Sequence, residues 1–590
     1  METKASTPPT VQARPLWIAL GLVVIAFHLG LAAAPLTPNL VARPLHMALA
    51  LPFVFLFPRV SLVGSLWCAA GVVACLWVAL NHNALSDQYG MLFGTGQYVA
   101  AFVLLATVLE MARRAIGWPL PIVAALALLY ALFGEMIPGR FGHPGLPDAS
   151  LFGTLVIAEG GIWGQLTGIS VGVVAVFVIL GAILNAGEAG EGFMNVAAAA
   201  AGRLRGGAAK VSVISSALFG SISGSASANV ASTGAVTLPA MRRLGYPRAL
   251  AGAVEAVASS GGQIMPPLMG AGAFVMVELT GTPYAAIMAA ALPPAILYFL
   301  AVWVGIDGFA TRHRLAGLPA DAQPPWRTVA ITSAFFLVPF GVLLWGLFGA
   351  GVTPQLAAVW ATGAAALLLL VDARLSFDLH RAGARIAKAA ISAGNQVAVI
   401  ASIILCASII IGVLGLTGLG VKITSLILSG SGGALVPALL LTALACLILG
   451  MEVPTTAAYV ICVSVAGPAL IDLGLPVLTA HMFVFWYALL STITPPVCGA
   501  VFIAAGMVEE RWLKVAGAAM ALGVGLYLIP LAMVANPGLL ALQSEPLAAF
   551  IAFLKVGAGL CALSLGLIAR WPIVWRMALI GGGLALALLL

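Results

Sequence analysis

Two segments of the chain combine a double proline with neighbouring hydroxyl and amide side chains, a combination that can bind ions inside a membrane. Residues 263–271 read QIMPPLMGA and residues 492–500 read TITPPVCGA, so Ile, both prolines, Gly and Ala coincide without a gap. Proline lacks an amide donor and disrupts the preceding helical turn, which frees backbone carbonyls. Freed carbonyls and hydroxyls suit a small hard cation, and the exposed amides of a helix start suit an anionic group.

Each double proline follows an apolar stretch that is interrupted in its middle, at residues 211–240 and 433–470. The first interruption, residues 221–234, reads SISGSASANVASTG, and the second, residues 450–456, reads GMEVPTT. With these stretches counted as hairpins that do not cross, the Lys and Arg clusters fall on one side of the membrane, as the positive-inside rule requires. We therefore predict two re-entrant helical hairpins.

The two copies are predicted to have opposite orientations in the membrane. The chain crosses five times between them, from the span at 249–275 to the span at 389–416. Inverted repeats with broken helices at corresponding positions indicate the midplane site of a secondary transporter. Irregular backbone at that depth is tolerated only where it is buried in protein or lines a cavity.

Small polar residues have a second explanation, because they also permit close packing of helices. For any single Ser or Thr the two explanations are equally good. The whole set, with Asn229, Gln263 and the paired prolines, favours a binding site.

Two carboxylates are candidates for a proton or charge role, Glu255 and Glu452. Glu255 lies in an apolar helix, where an ionisable group is costly and is often functional. It could equally hold helices together. Glu452 lies at a hairpin tip and could be a cation ligand, a protonatable group or a solvent-facing residue. His28 and His481 are interpreted as packing histidines.

The composition is that of a polytopic all-α membrane protein. Hydrophobic residues make up 62% of the 590 residues and charged residues 8%, with a mean hydropathy of +1.12. A soluble chain carries roughly a quarter charged residues. Apolar runs of membrane-spanning length predict about 15 transmembrane helices besides the two hairpins. The predicted spans are 15–35, 43–58, 61–81, 94–113, 117–135, 168–187, 249–275, 285–305, 328–348, 353–371, 389–416, 479–505, 514–535, 548–569 and 573–590.

Several function classes are disfavoured. The net charge of +7 is spread over short clusters between apolar runs, so no nucleic-acid role is expected. The seven cysteines form no CxxC pair, and there is no Walker loop or HExxH motif. A membrane-embedded enzyme would need clustered His, Asp or Glu residues on facing helices, and a channel would not need inverted broken helices.

The chain is predicted to divide into four parts. Residues 1–140 form N-terminal helices, and residues 141–167 form a connector. Residues 168–535 contain the inverted repeats and both hairpins, and residues 536–590 form a C-terminal helix pair.

Four segments resemble the TRAP transporter family, specifically its fused TAXI-type permeases: residues 208–246, 251–267, 454–459 and 480–496. Residues 1–140 resemble the small membrane subunit by position and helix count, and residues 168–535 resemble the large one. Glu452 departs from the family, whose members usually have a small or apolar residue there. This departure leaves proton coupling open as an alternative to sodium coupling.

The resemblance implies an elevator-type fold and mechanism with two Na⁺ sites, one at each hairpin and its broken helix, and no nucleotide or organic cofactor. It implies a monomeric multi-pass permease in the bilayer of the bacterial inner membrane, which imports a small organic acid delivered by a periplasmic TAXI-type binding protein. The substrate residues it implies are Ser225, Ser227, Asn229, Gln263, Pro266, Pro267, Thr455, Thr456, Thr494 and Pro495. The Na⁺ ligands it implies are Ser223, Ser225, Asn229, Ser259, Ser260, Gly261, Gly450, Pro454, Thr455, Ser491, Thr492 and Thr494.

Overall fold

The computed structural model describes residues 15–33, 36–451 and 453–589, and nearly all of these residues are helical or in short connections. In the described part of the chain the β-structure is a single bridge between Val371 and Phe377. Glu452 lies outside the described residues. Ten described helices are long and apolar enough to cross a membrane, and further apolar helices are shorter.

The N-terminal part is a layer of apolar helices followed by a short connecting helix. Their bounds are Pro15–Ala33, Asn39–Phe55, Leu62–Leu80, His82–Ser86, Gly94–Ile116, Pro119–Phe133 and Asp148–Val156. Leu62–Leu80 begins at Ser61, whose hydroxyl accepts a hydrogen bond from the amide of Gly64 at 3.0 Å. Such a cap satisfies one of the free amides of a helix start.

The first repeat contains a helix with a π-turn, two hairpin helices and a broken helix. Its helices are Gln165–Ile169 and Ala175–Ala186 around the turn at Ser170–Val174, then Ala189–Ala201, Gly207–Ser223, Ala226–Arg243, Arg248–Gly261 and Gly270–Thr280. The connection to the second repeat consists of Tyr284–His313, Trp326–Leu344 and Pro354–Leu368.

The second repeat begins with the 39-residue helix Leu379–Thr417, called here the long helix. It continues with Leu419–Gly430, Leu435–Leu449, Thr455–Asp472, Val477–Leu490 and Gly499–Val508. The chain ends with Trp512–Gly523, Ile529–Ala535, Pro546–Ile568 and Ile573–Leu588.

Both predicted hairpins are present as pairs of packed helices. Hairpin 1 covers residues 207–243 and turns at Gly224, whose φ of +61° is readily available to glycine. Hairpin 2 covers residues 435–472 and restarts after Pro454, which has a φ of −55°. These limits agree with the predicted stretches 211–240 and 433–470 to within a few residues.

Both double prolines interrupt a helix, as predicted. In broken helix 1, residues 248–280, the first half ends in a short 3₁₀ turn at Gly262–Ile264, and a helix resumes at Gly270. In broken helix 2, residues 477–508, the same turn lies at Ser491–Ile493 and a helix resumes at Gly499. The Pro266-Pro267 and Pro495-Pro496 bonds are both cis.

The repeat extends beyond the sequence motifs. The second hairpin limb has 18 residues in both copies, the first half of the broken helix has 14, and the 3₁₀ turn has 3. These elements start at 226 and 455, at 248 and 477, and at 262 and 491, a constant offset of 229 residues.

Two helices of more than ten residues were not predicted from the sequence, Ala189–Ala201 and Leu419–Gly430, and they too occupy matching places before the hairpins. With 13 and 12 residues they are too short to register as spans. Three predicted spans are also short: 43–58 is a helix of 17 residues, 353–371 one of 15 and 573–590 one of 16.

The helices pack into two groups. The long helix packs against four N-terminal helices, Pro15–Ala33, Asn39–Phe55, Gly94–Ile116 and Pro119–Phe133. Hairpin 1 packs against both broken helices, and hairpin 2 packs against broken helix 2. We call the hairpins with the broken helices one body and the long helix with the N-terminal layer the other; the long helix also contacts the second limb of hairpin 2, Thr455–Asp472.

Hairpin 1 sits on broken helix 1 through glycines that face each other. A methyl group added to Gly220 would overlap the backbone of Gly262 and lie 2.6 Å from Nδ2 of Asn229. We predict that Gly220→Ala lowers the stability of the protein by about 1–3 kcal/mol, because the packed backbones cannot move apart freely. Melting of the detergent-solubilised protein measures this. Gly517→Ala, where the added methyl meets nothing within 4 Å, is the matched control, and equal melting temperatures for the two variants would contradict the prediction.

Candidate substrate and ion site

A cavity of about 1320 Å³ lies between the two helix groups. The tips of both hairpins, both broken helices and one face of the long helix line it. Its size is above the usual range of about 300–1,000 Å³ for small-molecule pockets. The cavity is therefore large enough for a small organic molecule together with water.

Four helices begin at the cavity wall, at Ala226, Gly270, Thr455 and Gly499. Ala226 and Thr455 occupy equivalent positions in the two copies, and so do Gly270 and Gly499. The first amides of a helix lack partners within it, and the helix dipole adds a partial positive charge there. The repeat thus brings four helix starts to one cavity, an arrangement that suits an anionic group.

The cavity wall contains about half of the residues that the resemblance implied. Of the implied substrate residues, the cavity is lined by Ser225, Ser227, Gln263, Thr455 and Thr456. Of the implied Na⁺ ligands, it is lined by Ser223, Ser225, Gly450, Pro454, Thr455 and Thr492. The remaining residues do not line the cavity: Asn229, Ser259, Ser260, Gly261, Pro266, Pro267, Ser491, Thr494 and Pro495.

Asn229 holds hairpin 1 to broken helix 1. Its Nδ2 donates to the carbonyl oxygen of Ser216 at 2.9 Å and to that of Ser259 at 3.2 Å. Asn229 and Ser259 are both fully buried. With its amide group engaged in this way, Asn229 positions the hairpin and does not face the cavity.

The two broken helices are linked directly where their breaks meet. The hydroxyls of Ser260 and Thr492 are 3.0 Å apart. Gly450 of hairpin 2 lies so close to Ser491 that a methyl group there would overlap the Ser491 side chain. The two copies are therefore in contact at the breaks.

The remaining break residues brace the structure. Thr494 shares a hydrogen bond of 2.6 Å with the hydroxyl of Tyr527. The carbonyl oxygens of Pro267 and Leu268 both accept hydrogen bonds from the hydroxyl of Tyr284. The bonds from Tyr284 give partners to backbone carbonyls in the interrupted segment, as an apolar surrounding requires.

Gln263 carries a buried polar atom without a partner. Its side chain is 4% exposed, and its Nε2 makes no hydrogen bond to the described residues. An unmet donor costs about 1–3 kcal/mol when it is buried. Gln263 also lines the cavity, so this unpaired atom belongs to a residue of the cavity wall.

Glu255 is fully buried below hairpin 1 and does not line the cavity. Its carboxylate accepts hydrogen bonds from the hydroxyls of Ser212 at 2.8 Å and Ser259 at 3.3 Å, and from those of Thr233 and Thr237. Four hydroxyl donors surround the carboxylate. They join both limbs of hairpin 1 to broken helix 1.

The donor atoms around the breaks fit a hard cation. Hydroxyls of Ser223, Ser225, Thr455 and Thr492 lie at the wall, and the prolines leave carbonyls of the preceding turns without helical partners. Among the described residues no group of three or more His, Cys, Asp or Glu side chains could hold a metal. Oxygen-only donor sets suit hard cations, so the residues present fit Na⁺.

Comparison with known proteins agrees with this architecture. The family description "Tripartite ATP-independent periplasmic transporter, DctM component" matches residues 102–548, more than half of the chain. The chain belongs to this family. The match includes both hairpins and both broken helices.

Individual family members share moderate identity with the chain. The C4-dicarboxylate TRAP transporter large permease protein DctM of Pseudomonas aeruginosa is 31% identical over 34% of this chain and 47% of its own length. The isethionate TRAP transporter permease protein DctMQ of Oleidesulfovibrio alaskensis is 24% identical over 67% and 61%. The ectoine/5-hydroxyectoine large permease UehC of Ruegeria pomeroyi is 26% identical over 40% and 55%. The chain spans about half the length of most curated relatives it matches.

One wall of the cavity in this TRAP family member, the face of the long helix, was not predicted from the sequence. Lys388, Ser392, Asn395 and Gln396 of the long helix all line it. The predicted span at 389–416 was treated as an ordinary apolar crossing. The available signal was the recurrence of polar residues at intervals of three and four, which places them on one helical face.

The geometry predicts which positions an aqueous thiol reagent can reach. Cysteines introduced by Ser227→Cys and Thr456→Cys face the cavity and should react about tenfold or more faster than those from Ser259→Cys and Ser491→Cys, since reactivity follows exposure. Modification rates in membrane vesicles, with expression and melting as controls, check this. Equal rates at all four positions would show that the wall is placed wrongly.

Proposed function

We propose that the protein is the membrane permease of a tripartite, ATP-independent secondary transporter that imports a small organic acid with Na⁺. It would work in the bacterial inner membrane as a monomer and would not be an enzyme. The observation that carries the proposal is the cavity to which the two copies of the repeat, predicted to be inverted, direct four helix starts. That arrangement is expected of a transporter's midplane site.

The chemistry of the cavity supports an anionic substrate. Helix starts offer donors, Gln263 with its unpaired Nε2 is part of the wall, and no carboxylate lines the wall among the described residues. The named substrates of the three relatives above are C4-dicarboxylates, isethionate and ectoines. All of them carry a carboxylate or a sulfonate, the kind of group that such donors bind.

The two-body packing supports an elevator mechanism. Hairpins and broken helices would move together and carry the substrate, while the long helix and the N-terminal layer would remain fixed in the membrane. The hydrogen bonds of Asn229 and the Ser260–Thr492 contact hold the moving body together.

Sodium coupling is supported by the oxygen donors at both breaks. Proton coupling is the alternative. The buried Glu255 is the candidate proton carrier, because an ionisable group at that depth is costly to keep and is often functional. The four hydroxyls that donate to Glu255 stabilise its charged form. These four hydrogen bonds support a structural role for Glu255 within the helix bundle, and with it sodium coupling.

A periplasmic binding protein of the TAXI type is the proposed partner. The family description includes the words tripartite and periplasmic, which supports a binding protein in general. Its TAXI type rests on the resemblance of the four sequence segments. Pairing the purified permease with a TAXI-type binding protein and, separately, with a dicarboxylate-binding protein would distinguish the two partners.

Uptake into proteoliposomes tests the function. With a binding protein present, a sodium gradient should drive uptake of a labelled C4-dicarboxylate or of isethionate, and a pH gradient alone should not. Uptake driven by pH and indifferent to sodium would replace the sodium proposal with the proton alternative. Uptake of neither probe under either gradient would contradict the proposed substrate class.

Two substitutions test the assigned residues. Asn229→Leu removes the hydrogen bonds between hairpin 1 and broken helix 1. Thr455→Val removes a hydroxyl from the cavity wall and keeps the shape of the side chain. Both should reduce coupled uptake by at least about tenfold, because each group contributes hydrogen bonds of about 1–2 kcal/mol. Ser429→Ala, at an exposed helix position whose hydroxyl bonds only Leu426, is the matched control. Unchanged uptake in the first two variants would show that neither the link made by Asn229 nor the hydroxyl of Thr455 is needed for coupled transport.

Glu255→Gln separates the two coupling ions. The amide keeps the shape of the carboxylate but cannot ionise, so it should lower the melting temperature while sodium-driven uptake persists at a reduced rate. Sodium-dependence curves and melting measure both effects. A different result would identify Glu255 as the proton carrier: uptake that is independent of sodium in both the unmodified protein and the variant, and pH-driven uptake that is lost in Glu255→Gln.

A further inference from the structure

One face of the long helix carries a polar stripe into the cavity. The stripe consists of Lys388, Ser392, Asn395 and Gln396. Positions separated by three and four residues share a helical face. In the stripe, Nε2 of Gln396 donates to the hydroxyl of Ser392 at 2.8 Å. The stripe faces the hairpin tips across the cavity.

Lys388 is the one charged side chain at the cavity wall among the described residues. Its neighbours on the same helix are neutralised, because Arg381 pairs with Asp372 and Arg385 pairs with Glu188. Lys388 forms no ion pair within the described part of the chain. The contact of its Nζ is to the carbonyl oxygen of Asn185 at 3.4 Å, and the residue is exposed.

A cation that only orients the helix in the membrane would not need to face the cavity. The basic cluster at the start of the long helix already includes Arg381 and Arg385, which satisfy the positive-inside rule. Both of these arginines are held by carboxylates away from the wall. Of Arg381, Arg385 and Lys388, Lys388 alone has no carboxylate partner among the described residues, and it is the one that lines the cavity.

We propose that Lys388 is a specificity-determining residue that makes the cavity selective for anions. Its fixed charge, on the body that packs against the N-terminal helices, would attract the carboxylate or sulfonate of a small organic anion while the helix starts bind it from the other body. A cleft lined by charge of one sign concentrates ligands of the opposite sign. The identity of the transported anion rests on the proposed function, but the charge selectivity does not.

Charged thiol reagents test this selectivity without any transport. Ser392→Cys, one helical turn from Lys388 and also at the wall, is the reporter, in a background with Cys561→Ala because the other six cysteines are buried. The probes are the anionic 2-sulfonatoethyl methanethiosulfonate and the cationic 2-(trimethylammonium)ethyl methanethiosulfonate. Inside-out membrane vesicles expose the face where the positive-inside rule places Lys388.

The measured quantity is the ratio of the two modification rates. Lys388→Gln should lower the anionic-to-cationic ratio by about three- to tenfold, because a unit charge one helical turn away acts across a partly solvated cavity. The effect should shrink at high salt. Lys388→Arg should keep the original ratio. Arg381→Gln should keep it as well, because it removes one positive charge, as Lys388→Gln does, but from a residue that is paired with a carboxylate.

An unchanged ratio in Lys388→Gln, or an equal fall in Arg381→Gln, would overturn the proposal. Thr456→Cys is a second reporter on the opposite wall. If neither reporter reacts, Lys388 does not face an aqueous cavity and the proposal also fails. Because these rates do not depend on transport, a failed uptake experiment with an intact ratio would count against the proposed substrate and not against Lys388.

Discussion

Unpaired backbone groups are the constraint on which this structure depends. A polypeptide inside a membrane must satisfy its amides and carbonyls within the protein, so a broken helix is tolerated only where other groups complete it. The chain contains two such breaks at double prolines. Tyr284 and Thr494 bind groups at the breaks, and the hairpins cover them. The parts of the breaks that are not covered in this way form part of the cavity wall.

Close approach of backbones makes this covering possible. Hairpin 1 lies on broken helix 1 where Gly220 meets Gly262, and hairpin 2 lies on broken helix 2 where Gly450 meets Ser491. Hydrogen bonds then lock the contact, through Asn229 in the first copy. Small residues are common where membrane helices approach closely. Their role here is to bring the helix starts together.

The electrostatics of the cavity follow from the same arrangement. Because the two copies meet at their breaks, four helix starts with their free amides face one space. The carboxyl group of Glu255 is buried among hydroxyls, and no Asp or Glu among the described residues lines the cavity. The long helix adds one positive charge, Lys388, from the other body.

The sequence by itself determined the membrane class, the two hairpins and the two broken helices, because the effects of proline, glycine and long apolar runs are local. It also revealed the repeat, through identical residues at matching positions of 263–271 and 492–500. Tertiary structure alone decided which polar residues face the cavity. Asn229 and Ser259 proved to be buried braces, Lys388 proved to be part of the wall, and the short helix Ala189–Ala201 appeared only in the structure. The orientation of a side chain on a mostly apolar helix depends on which distant helix packs against it, and no local pattern contains that information.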